Sequence, residues 1–110
     1  MAIFNGMLID IKTGFFGTSS VLQQTDFQAI ASKTYGPASP LPVSGFYQIN
    51  LTNSKSYINK LNTNGGLTQL RLRFKLDDNN DTLANYLNLY SGDTPAATYR
   101  PQLVITYHMP

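Results

Sequence analysis

Residues 67–76 constrain this chain more than any other stretch. Leu70, Leu72, Phe74 and Leu76 alternate there with Gln69, Arg71, Arg73 and Lys75. A two-residue period sends the two sets to opposite faces of a strand rather than to one side of a helix. A strand with one apolar and one charged face belongs to an antiparallel sheet that is half buried. The pattern predicts a strand over residues 68–75, with Leu70, Leu72 and Phe74 buried and Arg71 and Arg73 outward. A slip of one residue would put the whole apolar set in water. Each such side chain is worth roughly 1.5–3 kcal/mol when buried, so the register is strongly set.

The rest of the chain reads as further short strands between turn signals. MLIDIK places Met7, Ile9 and Ile11 on one side and Leu8, Asp10 and Lys12 on the other, closed by Thr13-Gly14. Gly17 to Ser20 is a loop. DFQAIAS has the sole helix-like spacing, Phe27, Ile30 and Ala31, and predicts one or two helical turns with Thr25 as N-cap. Pro37, Pro40 and Pro42 make residues 36–44 a loop of restricted, partly extended backbone. GFYQINL (45–51) is the next strand, and SKSYINKL (54–61) a short helical turn packing Tyr57, Ile58 and Leu61. NTNGG is a turn. DDNND is a polar turn, YLNLYS (86–91) alternates again, and QLVITYH (102–108) is a last strand with Leu103, Ile105 and Tyr107 inward.

Composition agrees with an all-β chain. All acidic residues are Asp, only 13% of residues are charged, and Asn, Thr, Ser and Tyr are abundant. These types favour strands and turns over helix surfaces. The expected architecture is an antiparallel β-sandwich of jelly-roll type, residues 1–110 forming a single module. With 42% hydrophobic residues there is material for one core. There is no apolar run of membrane-spanning length. The opening MAIFNGMLIDIK does not read as a secretory signal peptide, so an export address would lie on other sequence. The chain has no cysteine, which removes disulfides and thiolate metal sites without fixing a compartment. A net charge of +2 is too weak a field to argue for nucleic acid.

Catalytic signals are thin, and the chain reads as a non-enzyme. His108, the single histidine, lies near the C-terminal end of the sequence, a poor place to fix a general base. The serines of LYSGD and PVSGF form no nucleophile elbow, and there is no phosphate-binding glycine loop. Asp77, Asn79 and Asp81 give the D-x-N-x-D beginning of a calcium loop, but Thr82 and Asn88 stand where an EF-hand needs Gly and Glu. The turn reads first as solvated, with calcium in another geometry as the alternative, and no other cofactor is expected. Arg71, Arg73 and Lys75 form the one row of clustered positive charge. It would face an acidic ligand such as a uronic acid, or, as the plainer reading, be the solvent side of a strand relieved by Asp or Tyr on its neighbours. Tyr47, Tyr86 and Tyr99, with Tyr35, sit near loops and could stack on a sugar ring while amides read its hydroxyls, although Trp is absent.

GLTQLRLRFKLDDNNDTLANYLNLYSGD, then ATYRPQLVITYHMP, resembles the end of the DNRLRE-type modules, and GMLIDIKTGFFGTSSVLQQTDFQA resembles their middle section. These are β-sandwich domains of secreted and cell-surface proteins, often grouped with carbohydrate-binding modules. The likeness is strongest from Thr68 to Tyr107. It implies an extracellular or cell-surface role in glycan attachment or surface architecture, and it assigns no binding residue. Family members carry further strands ahead of the part matching Gly6, so the chain resembles the later portion of a longer domain.

Two functions follow as expectations. One is a non-catalytic carbohydrate-binding-like or cell-surface adhesion module, with a polysaccharide partner and a binding set drawn from Tyr47, Arg71, Arg73, Tyr86 and Tyr99. The other is a structural or assembly subunit that binds no glycan and completes its sandwich by self-association or with a partner chain, for example in a filament. Neither involves nucleic acid or membrane insertion.

Overall fold

A computed structural model describes residues 6–76, 80, 82 and 87–108. Strands β1 (Met7–Thr13), β2 (Lys33–Ala38) and β5 (Thr68–Phe74) form one antiparallel sheet in the order β2-β1-β5. A small ribbon pairs β3 (Pro42–Val43) with β4 (Phe46–Tyr47). Short 3-10 turns occupy Gln24–Phe27, Thr52–Tyr57, Thr63–Gly66 and Ala97–Tyr99, and the described residues contain no α-helix. The fold class is all-β. No helix among the described residues is long and apolar enough to cross a membrane.

β1 is the organising strand because it is flanked on both sides. Its alternation works as the sequence implies: Met7, Ile9 and Ile11 are buried on one face. Tyr35 and Ala38 of β2, with Ile49, Leu51, Tyr57 and Leu87 from loops and a 3-10 turn, pack around them. Thr13 ties this layer to the sheet by donating its hydroxyl to the Tyr57 carbonyl at 2.6 Å. On the opposite face Asp10 stands across from Arg71 on β5 and Thr34 on β2. Residues 14–32 roof that face.

The β5 strand and its register are as the alternation predicts, but the burial is not. Leu70 is 41% exposed and Leu72 51% exposed, while the Arg71 side chain retains only 18% exposure. Phe74 is half-buried. Among the described residues β5 is an edge strand, so Leu70 and Leu72 have β1 on one side and no described strand on the other. The charged face instead lies under the 14–32 roof. Alternation fixes which residues share a face; it does not say which face is covered.

Other expectations also shift. The 36–44 loop is strand at both ends, β2 running through Gly36 and Pro37 with a bulge between Met7 and Ile9. Of the 45–51 strand only Phe46 and Tyr47 pair. Beside Asp26 the helical segment is a single 3-10 turn capped at Gln23, not Thr25, and Phe27 and Ile30 are exposed. Tyr57 packs as expected, whereas Leu61 is exposed. Residues 87–91 and 102–108 form no strand. A β-prone segment becomes a strand only with a hydrogen-bonded neighbour, and among the described residues these pair with no strand.

Candidate functional site: the groove along the free edge of β5

The charged face is built around one carboxylate. Asp10 is fully buried. Arg71 donates from Nε and lies with Nη2 at 2.7 Å from Oδ2. Arg73 donates from Nε to Oδ2 at 2.8 Å and from Nη2 to Oδ1 at 3.3 Å. Thr34 donates its hydroxyl to Oδ1 at 2.6 Å. Burial by itself would raise the Asp10 pKa, but the hydrogen bonds from Arg73, Thr34 and Arg71 outweigh it and hold the group down to about 2. One anion thus bridges two cross-strand arginines and offsets one of their two charges.

Arg71 spends most of its donors inside the chain. Its Nη1 reaches over to the roof, donating to the carbonyls of Asp26 at 2.6 Å and Ala29 at 2.9 Å. Its guanidinium also lies 4.5 Å from the centre of the buried Phe16 ring. Gln69 completes the roof contacts: Oε1 accepts from the Phe16 amide and Nε2 donates to the Ser20 carbonyl, both at 3.0 Å. Asp26 Oδ2 accepts from the Gln23 amide at 2.9 Å. Its Oδ1 is buried without a hydrogen-bond partner. It presses on Gly17, where a Cβ would stand 2.6 Å away and φ is +67°.

Beside this clamp lies an open groove of about 420 Å³, within the range of ordinary binding sites. Leu70 and Leu72 from one face of β5 and Gln69, Arg71 and Arg73 from the other line it, together with Phe16, Ser20, Leu22, Asp26 and Phe27 of the roof. Because both faces of one strand contribute, the groove follows the strand's outer edge. Ladder bonds at either end, Gly14 N–H to the Leu67 carbonyl and Lys75 N–H to the Gly6 carbonyl, turn the backbones of Gln69, Arg71 and Arg73 toward β1. Those of Leu70 and Leu72 therefore point into the groove, where neither has a partner. Leu22 and Phe27, 79% and 72% exposed, form the outer lip.

Of the residues proposed from sequence, the groove brings together Arg71 and Arg73, and engages them internally. Tyr47 lies on the β3-β4 ribbon, outside the groove lining. Tyr99 stacks on Tyr90 with ring centres 5.0 Å apart, next to a turn in which Ser91 donates its hydroxyl to Asp93 and Arg100 donates to the Thr94 carbonyl. Tyr86 and the calcium candidates Asp77, Asn79 and Asp81 lie outside the described residues. Sequence reasoning missed Asp10, Phe16 and Asp26. The available signal was Asp10 itself, an acid within an apolar strand of a chain whose best strand carries two arginines on one face.

No protein-family model matches the chain, nor does any curated protein or solved structure. The DNRLRE resemblance rests on its residues alone.

Proposed function

We propose that this chain is a non-catalytic module of the cell surface or extracellular space whose work is to associate, a structural or assembly subunit that completes a β-sandwich against another chain. One observation carries the reading. The polar side chains beside the groove bond within the chain, while Leu22, Phe27, Leu70 and Leu72 stand exposed. A sugar site needs polar groups held ready for hydroxyls, and an apolar groove rewards a protein surface instead. The placement outside the cell rests on the DNRLRE resemblance. Sedimentation velocity of the Leu22→Asp/Phe27→Asp double variant tests the reading, since both side chains are exposed and their loss spares the core. The double variant should sediment as a smaller species than the parent chain. Equal sedimentation of the two at every concentration would overturn it.

A second reading, a carbohydrate-binding-like adhesion module, is favoured by the exposed Tyr90–Tyr99 pair, since an aromatic face there is open to a pyranose. A glycan array with and without calcium tests it. Binding abolished by Tyr99→Ala would support it, and silence on all polysaccharides in both conditions would remove it.

A further inference from the structure

Resting on the association reading, we infer that the occupant of the β5 groove is residues 102–108 of a second copy of this chain, laid down as a fourth strand beyond β5. Two unsatisfied halves of a ladder are present in the same molecule. On β5, the backbone N–H and C=O of Leu70 and Leu72 face the groove without partners. In residues 102–108 no backbone or side-chain group makes a hydrogen bond, although Leu103, Ile105 and Tyr107 alternate with Gln102, Val104 and Thr106 in strand period. Pro101 sets the extended backbone from which that segment starts. Val104 is 84% and Tyr107 73% exposed, while Leu103 at 48% and Ile105 at 52% are half covered, so the segment is only loosely covered by its own chain.

The surface area says how much partner is needed. The chain exposes 8624 Å², whereas a closed monomer of 12.2 kDa exposes about 6,100 Å². The surplus, roughly 2,500 Å², exceeds the ~800 Å² that each side of a standard interface hides and is the size of an obligate one. The radius of gyration, 15.3 Å, likewise exceeds the ~13 Å of a compact chain this long. A second copy meets the need on both counts, because each chain carries a donor segment and an acceptor edge. Reciprocal exchange closes a two-fold pair, and one-way donation continues into a filament.

The test uses the full chain and two variants, Val104→Pro and Ile105→Pro. In an antiparallel or parallel ladder one of these two amides must bond β5, whereas in the single chain neither bonds anything, so proline there leaves the fold unharmed. Sedimentation equilibrium should show that at least one variant weakens association by about tenfold or more. Amide exchange at Leu70 and Leu72 should be slow in the associated parent and fast in that variant. Association unchanged in both variants would overturn the strand-donation inference and leave the association reading standing. Slow exchange of Leu70 and Leu72 at concentrations where the parent is monomeric would also overturn it, placing the segment on its own chain. A parent monomeric at all concentrations with fast exchange would overturn the association reading itself.

Discussion

Asp10 is the residue on which the charged face turns. Its pKa of about 2 lies below the ordinary 3.8, so the folded state binds its proton less readily than the unfolded chain. The stabilisation is therefore full above about pH 4 and is lost as the pH falls through about 2, amounting to about 2 kcal/mol. Urea unfolding between pH 5 and pH 2 should show this loss in the parent chain and not in Asp10→Asn. At pH 7 Asp10→Asn should cost about 3 kcal/mol or more, because two arginines lose the anion between them. Ser54 makes the opposite prediction. Its hydroxyl is buried and has no hydrogen-bond partner, so Ser54→Ala should leave stability unchanged or raise it by up to about 1 kcal/mol. A loss of more than that would mean the hydroxyl is satisfied.

Elements here are held by what covers them, and the roof over β5 hangs on few contacts. Gly17 lets the loop approach Asp26, so Gly17→Ala brings a Cβ to 2.6 Å from Oδ1 and strains a residue at φ +67°. The expected cost is about 1–3 kcal/mol by denaturant unfolding, with faster exchange of the Phe16 amide as the roof lifts. An unchanged midpoint would show that the loop shifts freely. At this scale the sequence is partly legible. The two-residue period of β1 and β5 is stated by their own side chains, so the strands and the residues that share a face are readable, whereas which face is covered is not. β2 is not readable, because prolines argue against a strand and only its pairing to β1 overrides them. Residues 102–108 carry the period of a strand without the neighbour that would make one. The burial of Arg71 was illegible for a related reason: it depends on a roof from residues 14–32 whose spacing reads as loop and helical turn. Of the site, the arginine row was visible as charge, while its pairing to Asp10 required knowing that β1 and β5 lie side by side.

The main sheet has a covered central strand, and on the outer edge of β5 the backbones of Leu70 and Leu72 have no partner among the described residues. Its apolar groove, its unbonded 102–108 segment and its surplus surface all point the same way, toward completion by another chain. Burying Leu70 and Leu72 in that completion would recover roughly 1.5–3 kcal/mol each, and it would give the leucines the environment their alternation prescribes. The most direct measurement is the mass of the unaltered chain by light scattering across a series from low to high micromolar. Association predicts a mass that rises to twice 12.2 kDa or beyond as concentration increases. A mass fixed at 12.2 kDa throughout the series would contradict it.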